Sequence, residues 1–278
     1  MSHDAKTWFL TGASRGFGRQ WATAALERGD RVAGTARRAS SIEDLRTAYP
    51  ETFLPLELDV NDRAADFDAV GRAAEHFGRL DVVVNNAGYG QFGMLEELTE
   101  VEIRAQYETN FFGAIWITQA ALPILRSQSG GHVIQVSSIG GISALPNVGI
   151  YNSSKWALEG MSQALAREVA EFGIRVTLVE PGAYATDFGG VSARHATELP
   201  SYAAAHRAAV EARAERVAEV AEPSSTREAI LAIVDAKEPP LRFFLGAGLL
   251  RIARVDYESR LSEWEAWNDI SVGAQAGG

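Results

Sequence analysis

About seven short apolar runs alternate along this chain with longer segments that have the spacing of amphipathic helices. Such alternation is typical of a parallel sheet whose strands are connected by helices, and the helices then cover both faces of the sheet. The sequence therefore predicts a single α/β domain built on a doubly wound parallel sheet with helices on both faces. The predicted strands are residues 7–10, 31–35, 52–57, 82–84, 132–136, 175–179 and 242–245.

Two segments depart from this alternation. Residues 186–222 contain no predicted strand and are rich in Ala, Arg and Glu, which predicts one or two helices inserted after the sixth strand. Open α/β sheets bind ligands at their carboxyl edge, so this insertion is either a substrate loop or a solvated pair of surface helices. The tail 246–278 is also predicted to be helical, and its Leu261, Trp264 and Trp267 have a spacing typical of core or subunit packing. The other predicted helices lie near 16–28, 41–48, 61–77, 100–127, 152–172 and 224–236.

The composition excludes several classes of function. The 278 residues carry a formal net charge of −10 without a basic block, so a nucleic-acid or anionic-membrane surface is not expected. Cysteine is absent, which excludes disulfides and Cys-ligated zinc, and the five histidines lack metal-ligand spacing, so no metal site is predicted. No apolar run reaches about 18 residues and the N-terminus lacks a secretion signal, which predicts a cytoplasmic protein without a membrane span.

A glycine-rich turn follows the first predicted strand and leads directly into the first predicted helix. Glycines there allow positive φ angles and let backbone N–H groups approach a pyrophosphate at the positive end of the helix. The position between strand and helix favours dinucleotide binding over a purely structural turn. The predicted contacts are Gly12, Ser14, Arg15, Gly16, Phe17 and Gly18.

Tyr151 and Lys155 stand four residues apart in a segment predicted to be helical. This step places both side chains on one face of the helix. A cation beside a phenol lowers the phenol pKa, which is otherwise about 10, and a tyrosine titrating nearer neutrality can act as a general acid or base. The spacing alone is common, so its meaning depends on the rest of the chain.

Three motifs occur in a fixed order: Thr11-Gly-x-x-x-Gly-x-Gly18, Asn85-Asn86-Ala87-Gly88 and Tyr151-x-x-x-Lys155. Together they resemble the short-chain dehydrogenase/reductase family, in its NADP-preferring branch, and weakly its steroid and retinol dehydrogenases. The resemblance implies a Rossmann-type fold and an oxidoreductase that transfers a hydride between a nicotinamide cofactor and a carbonyl or alcohol.

The same resemblance implies a catalytic tetrad of Asn110, Ser138, Tyr151 and Lys155. Ser138, thirteen positions before Tyr151, would hydrogen-bond the substrate carbonyl and stabilise the charge that develops on its oxygen. Tyr151 would exchange a proton with that oxygen. Lys155 would lower the pKa of Tyr151 and hold the nicotinamide ribose, and Asn110 would hold a water that relays protons to Lys155.

Further cofactor contacts are implied at the ends of the third, fourth and sixth strands. Asp59 matches an adenine contact of the family, although it could instead cap the helix predicted to begin near Asn61. The loop after the sixth strand would hold the nicotinamide carboxamide. The implied residues are Asp59, Val60, Asn86, Ala87, Gly88, Pro181, Gly182 and Thr186, together with Tyr151 and Lys155.

The second predicted strand runs into Ala36 and Arg37 where an NAD enzyme typically carries a carboxylate for the ribose 2′-OH. Arg15 lies in the glycine turn, and two guanidinium groups at one place suit a phosphate dianion. We therefore expect NADP as the cofactor, with NADPH preferred over NADH. Surface arginines on a strand–helix loop are the alternative interpretation.

The substrate site is predicted from the loop 88–94, the segment 139–148 and the insertion. Its side chains are mostly apolar and no Arg or Lys cluster is visible, which favours a neutral, hydrophobic carbonyl or secondary alcohol. An NADP-binding sensor or scaffold with little turnover is the alternative function. Family relatives imply a homodimer or homotetramer formed through helices near 100–127 and 152–172. The expected wall residues are Tyr89, Phe92, Met94, Ile142, Leu145, Val148, Tyr184 and Phe188.

Overall fold

The computed structural model describes residues 4–190, 192–216 and 220–275. Its centre is a seven-stranded sheet in which every pair of neighbouring strands is parallel. The strands are β1 Thr7–Leu10, β2 Arg31–Ala36, β3 Phe53–Glu57, β4 Val82–Asn85, β5 Gly131–Val136, β6 Ile174–Pro181 and β7 Arg242–Leu245. Their order across the sheet is β3-β2-β1-β4-β5-β6-β7, so β2 and β3 lie on one side of β1 and the strands from β4 onward lie on its other side. The predicted fold class is confirmed.

The short apolar runs become strands because both faces of the sheet are covered. In β1, Trp8 and Leu10 belong to one core cluster while Phe9, between them, belongs to the other. Successive side chains of a strand point to opposite faces, so a strand buried on both faces needs an unbroken apolar run. All four residues of β1 are completely buried or nearly so.

Helices form a layer on each face. The first eight helices are α1 Gly16–Glu27, α2 Glu43–Ala48, α3 Arg63–Phe77, α4 Glu100–Tyr107, α5 Gly113–Ser127, α6 Gly149–Glu168, α7 Ala203–Arg216 and α8 Arg227–Asp235. On one face, Trp21 of α1 and Ile230 of α8 pack into the first core cluster. On the other face, Val70 of α3, Ile117 of α5 and Leu165 of α6 pack into the second. No helix within the described ranges combines the length and the apolar character that crossing a membrane requires.

The prediction of a single helix near 100–127 is wrong in one respect. A π turn, Glu108–Phe112, separates α4 from α5. A β-carbon at Gly113 would lie 2.8 Å from the carbonyl oxygen of Val60, so the helix touches the end of the β3 segment here and only glycine fits. Such single turns are frequent at functional sites, and this one contains Asn110.

The insertion 186–222 contains one α-helix, α7 Ala203–Arg216, in its described part. The prediction that this segment contains no strand is wrong, because Arg194–His195 pairs in parallel with Gln91–Phe92 in a separate two-stranded sheet. This pairing attaches the insertion to the loop after β4. Residues 191 and 217–219 of the insertion lie outside the described ranges.

The tail forms two helices, α9 Leu249–Ala266 and α10 Asn268–Gln275. Leu249 and Ala253 are the buried residues of α9, and they anchor its first turns against the domain. Every residue from 261 to 275 is exposed. Residues 276–278 of the predicted tail lie outside the described ranges.

Candidate active site

The turn between β1 and α1 has the shape of an anion cradle. Gly12 and Gly16 have φ angles of 73° and 54°, which are accessible to glycine and strained for other residues. The residue before α1, Arg15, makes no side-chain capping hydrogen bond, and the first turn of the helix carries no acidic residue. The backbone N–H groups of this turn are therefore available to a phosphate. These features fit the pyrophosphate of a dinucleotide.

Gly18 does not line this cradle, although the sequence placed it among the cofactor contacts. A β-carbon there would lie 2.2 Å from the carbonyl oxygen of Gly12 and 2.5 Å from Asn86 Nδ2. Gly18 therefore allows α1 to pack closely behind the turn. Gly12, Ser14, Arg15, Gly16 and Phe17 do border the cavity.

Thr11 joins the glycine turn to the Asn-Asn-Ala-Gly motif. Its hydroxyl oxygen accepts hydrogen bonds from the backbone N–H groups of Asn86 and Ala87, at 2.9 and 3.0 Å. Asn86 in turn donates from Nδ2 to the carbonyl oxygens of Thr11 and Gly12, at 2.9 and 3.1 Å. The two motifs are thus parts of one surface on which Asn86, Ala87 and Gly88 face the cavity.

The ends of β2 and β3 border the far end of the cavity. Arg37 and Arg38 are exposed there, beside Asp59 and Val60. The alternative role of Asp59 as a helix cap is wrong, because Asp62 caps α3 by accepting from the N–H groups at positions 64 and 65. Asp59 instead accepts from the backbone N–H of Asn61 at 3.1 Å, which leaves its side chain at the cavity.

Arg15 and Arg37 do not act together in this structure. Arg15 Nη1 lies 3.0 Å from Asp187 Oδ2, in an exposed ion pair that crosses the cavity mouth. Asp187 follows Thr186, whose methyl group lies 3.5 Å from the β-carbon position of Gly16. Thr186, Pro181 and Gly182 all border the cavity, so the loop after β6 faces the glycine turn.

Helix α6 presents Tyr151 and Lys155 to the cavity as the four-residue step predicts. The Lys155 Nζ atom lies 5.8 Å from the centre of the Tyr151 ring and donates to the carbonyl oxygen of Val136 at 2.7 Å. Both side chains are almost completely buried. Burial lowers the pKa of Lys155 to about 8, against an opposing effect from the nearby Glu159 carboxylate. Lys155 is therefore a buried cation beside the phenol.

Ser138 lies next to Tyr151, at the end of β5. The β-carbon position of Gly140 is 3.3 Å from Ser138 Oγ and 3.4 Å from Tyr151 Cε1, so the two side chains meet at this glycine. Ser138 Oγ accepts from the Gly140 N–H at 3.0 Å, which fixes the hydroxyl at the start of a short helical turn. Both side chains border the same cavity.

Asn110 lies behind the cavity wall. Its Oδ1 accepts from the Tyr89 N–H at 3.1 Å, and its Nδ2 donates to the Tyr89 carbonyl oxygen at 2.9 Å. The β-carbon position of Gly88 lies 3.2 Å from Asn110 Oδ1 and 3.8 Å from Lys155 Nζ. Asn110 is thus close to the lysine but holds the loop after β4 with both ends of its amide.

A buried acidic pair lies one helical turn beyond Lys155, and sequence reasoning missed it. Glu159 accepts from Arg242 Nε at 2.9 Å, and Glu180 Oε1 lies 3.7 Å from the same nitrogen. Burial and repulsion from Glu159 raise the pKa of Glu180 to about 8, and burial raises the pKa of Glu159. Two buried carboxyl groups with one guanidinium share a proton near neutral pH. The pair therefore supplies one negative charge beside Lys155.

An aromatic row extends from Tyr151 toward the insertion. Phe188 lies 4.7 Å from the Tyr151 ring, Phe92 lies 5.8 Å from Phe188, and His195 stacks on Phe92 at 4.9 Å, all measured between ring centres. These side chains line a cavity of about 1510 Å³ that runs from the glycine turn to α7 and α9. The cavity is large enough to include both a cofactor region and a substrate region.

The predicted substrate wall needs two corrections. Met94 and Ile142 are not part of it, because Ile142 is buried in the domain and Met94 begins the turn that follows the two-residue strand. The wall also carries charge that the sequence did not place there, including Arg194 and Arg207. Arg194 lies 4.5 Å above the Tyr89 ring, and the acidic wall residues of the insertion are Asp187, Glu198 and Glu211. Tyr89, Phe92, Leu145, Val148, Tyr184 and Phe188 line the cavity as predicted.

Tyr184 packs edge-on against Phe17, with 5.0 Å between ring centres, and is partly buried. It is therefore part of the wall near the glycine turn rather than an isolated surface aromatic. Its phenol oxygen approaches the β-carbon position of Gly246 to 3.6 Å.

Glu97 holds the insertion onto the domain. Its side chain is completely buried and accepts from the backbone N–H groups of Met94 and Leu199, at 2.7 and 2.9 Å. His206 Nε2 of α7 lies 2.8 Å from Glu97 Oε1. One carboxylate thus connects the loop after β4 to two points of the insertion. Over the described ranges, no cluster of three or more His, Asp or Glu side chains could hold a metal ion.

The family model described as short chain dehydrogenase matches residues 6–198, well over half of the chain. The chain belongs to the short-chain dehydrogenase family. The match covers the glycine turn, the Asn-Asn-Ala-Gly motif and the Tyr151–Lys155 pair, and it ends inside the insertion. The oxidoreductase assignment of the sequence is therefore confirmed at the level of the family.

Similar oxidoreductases cover 85% of this chain or more. Oxidoreductase BOA17 from Botryotinia fuckeliana is 40% identical over 273 residues, 96% of this chain and 98% of that protein. A 3-ketodihydrosphingosine reductase from Bacteroides thetaiotaomicron is 38% identical over 85% of this chain and 86% of its own length. A solved short-chain dehydrogenase from Streptomyces avermitilis is 39% identical with a TM-score of 0.89, covering 99% of this chain and 100% of its own. Solved structures of this fold hold NADP in some cases and NAD in others.

Proposed function

We propose that this short-chain dehydrogenase transfers a hydride between NADP(H) and a neutral, hydrophobic carbonyl or secondary alcohol, with Tyr151 as the general acid and base. The observation that carries the proposal is the meeting of Tyr151, Ser138 and Lys155 at the wall of a cavity that begins at the glycine turn. The proton donor Tyr151, the polarising hydroxyl of Ser138 and the cation of Lys155 thus lie together in the cavity whose other end, at the glycine turn, fits a dinucleotide.

The residues divide the chemistry among themselves. When bound, NADPH supplies the hydride. The Ser138 hydroxyl donates to the carbonyl oxygen of the substrate, and Tyr151 donates its phenolic proton to the same oxygen as negative charge develops there. Lys155 lowers the energy of the phenolate that remains, because a buried cation at this distance acts through a medium of low dielectric. In the direction of oxidation Tyr151 accepts the alcohol proton.

Cofactor contacts are proposed along the cavity edge. The glycine turn would hold the pyrophosphate, Asp59 and Val60 the adenine, Asn86 to Gly88 the ribose, and the loop of Pro181, Gly182 and Thr186 the carboxamide. Asn110 acts in this proposal by positioning the loop beside Lys155, since both ends of its amide are bonded to Tyr89.

The preference for NADPH over NADH rests on the end of β2. Arg37 is exposed at the cavity edge, and no carboxylate follows β2 to bind a ribose 2′-OH and repel a 2′-phosphate. Arg15 can contribute to binding of a 2′-phosphate beside Arg37 only when its ion pair with Asp187 is broken. We expect fluorescence titration to give tighter binding of NADPH than of NADH, and Arg37→Ala to weaken NADPH roughly tenfold while changing NADH little. Arg46→Ala, an exposed arginine on α2, is the control; equal or tighter NADH binding by the unmodified protein would show the assignment to be wrong.

A hydrophobic substrate is supported by the aromatic row that begins at Tyr151. The similar 3-ketodihydrosphingosine reductase is named for a reduction of a ketone. The deciding test is NADPH consumption with a panel of bulky ketones. Tyr151→Phe should abolish turnover and keep NADPH binding, since the phenol oxygen is the group lost. NADPH binding without turnover of any ketone by the unmodified chain would instead support a sensor or scaffold.

A further inference from the structure

Within the described residues, the helices α9 and α10 present a large apolar surface to solvent. Residues 261–275 are all exposed, and Trp264 and Trp267 show 62% and 63% of their surface to solvent. Tryptophan side chains this exposed are rare on monomeric domains, where apolar patches mark interaction sites. The patch extends back along α9 to Leu250, which is 62% exposed. On the adjoining face of the helix, Leu249 and Ala253 fasten α9 to the domain.

The exposed side chains of α9 have the spacing of a helix-pairing seam. Leu250, Arg254, Tyr257, Leu261 and Trp264 follow one another at alternating steps of four and three residues, and all five are exposed. Such steps keep the side chains on one face and let them pack between those of a facing helix. The seam is 15 residues long by position, from 250 to 264, within an α9 of 18 residues.

This seam matches itself when two copies run antiparallel. About position 259, Tyr257 of one helix stands level with Leu261 of the other, and Arg254 stands level with Trp264. Tyrosine against leucine is an apolar pair, and a guanidinium over a tryptophan ring is favourable. Each contact occurs twice, as a two-fold axis requires.

The charges on α9 favour the same direction. Beside the seam, its first half carries Arg251 and its last turn carries Glu265. Neither side chain forms an ion pair with another described residue of the chain. In an antiparallel pair about position 259, Arg251 of each helix lies within one turn of Glu265 of the other, whereas a parallel pair would set like charges together.

We propose that a second copy of this chain packs antiparallel on the seam of α9 and covers Leu261 and Trp264. The contact is separate from the helices α4 to α6 that family relatives suggest for association. It also reaches the site, because Leu249 and Ile252 of α9 line the cavity. A partner on α9 therefore braces the cavity wall beside the loop after β6.

Charge exchange tests the proposal on the full chain. R251E and E265R are measured by sedimentation velocity between about 0.5 and 50 µM, a range that brackets micromolar homodimer affinities, alone and as an equimolar mixture. Each variant alone should associate about tenfold more weakly through α9, because both symmetry-related pairs of positions 251 and 265 become alike in charge. The mixture should recover the assembly, because both pairs are again opposite in charge. R46E makes the same charge change on an exposed arginine of α2 and should keep the unmodified mass.

Trp264→Ala provides a second test that does not depend on charge. This variant should sediment as an assembly of half the unmodified mass, and its circular dichroism should be unchanged. Unmodified mass in both charge variants, or a mixture that fails to recover, would overturn the proposal. So would an unmodified chain that is monomeric at about 50 µM. Binding of that monomer to phosphatidylcholine vesicles would assign the tryptophans to a lipid surface instead.

Discussion

Replacing Thr11 by Val is expected to weaken both the fold and the binding of nucleotide. Valine keeps the shape of threonine and removes the hydroxyl oxygen that accepts from the N–H groups of Asn86 and Ala87. Thr11 is 1% exposed, so the two N–H groups lose their partner inside the protein. The same hydroxyl also donates to the carbonyl oxygen of Val84 at 3.3 Å.

The magnitude follows from the number of groups left without a partner. A buried donor without a hydrogen bond costs about 1 to 3 kcal/mol, so two donors cost about 2 to 6 kcal/mol. Asn86 and Ala87 border the cavity, and water entering there offsets part of that cost. We therefore expect Thr11→Val to lower the free energy of unfolding by about 2 to 4 kcal/mol.

Urea unfolding followed by circular dichroism measures this change, and NADPH titration measures its effect on the cradle. Thr11→Ser keeps the oxygen and serves as the matched control, with a loss expected below about 1 kcal/mol. A Thr11→Val variant within about 0.5 kcal/mol of the unmodified chain would refute the reasoning. So would a serine variant that is destabilised as much as the valine variant.

Three further predictions concern buried carboxyl groups. Asp66 is fully buried with neither oxygen bonded, and burial, followed by repulsion from Asp62 and Asp59, raises its pKa to about 8. The folded state thus holds a proton that the unfolded chain releases near pH 4, so the free energy of unfolding falls as pH rises from about 4 to 8. Asp66→Asn should therefore raise the free energy of unfolding, measured in urea, by about 2 kcal/mol at pH 8 and by much less at pH 5. Equal gains at the two pH values would contradict the assignment. Glu159→Gln removes the carboxylate that favours the protonated form of Lys155, so the fall of activity at alkaline pH should begin at lower pH. Gln163→Ala, which removes another partner of Arg242, should leave the profile in place. Glu97→Gln loosens the insertion and should raise the KM for a ketone severalfold with the NADPH affinity unchanged; an unchanged KM would show that Glu97 does not hold the substrate region.

The seven strands were predictable because a strand that is buried on both faces requires an unbroken run of apolar residues. The strand containing Trp8 to Leu10 can be predicted without knowing its neighbouring strands, since each of these side chains packs in one core cluster or the other. The Arg194–His195 strand could not be found in this way. It has two exposed residues, and only its pairing with Gln91–Phe92 makes it a strand.

The candidate site was predictable where backbone shape and spacing carry the information. The glycine turn and the four-residue step from Tyr151 to Lys155 are local, so their geometry follows from the order of residues. Glu97 and Glu180 gave no such signal, because each acquires its role from contacts made far along the chain. Asp62 rather than Asp59 caps α3 since the helix begins two residues later than its apolar pattern suggested.

The π turn Glu108–Phe112 restricts how this chain can change in length. Each residue of an α-helix turns the chain by about 100°, so deleting one residue here would restore a regular helix and rotate one side against the other. Asn110 would then turn away from Tyr89, or Gly113 would turn away from Val60 and bring a larger neighbour against its carbonyl oxygen. A deletion that a surface loop would tolerate is therefore expected to be lethal to the site here, even if it removes none of the residues that border the cavity.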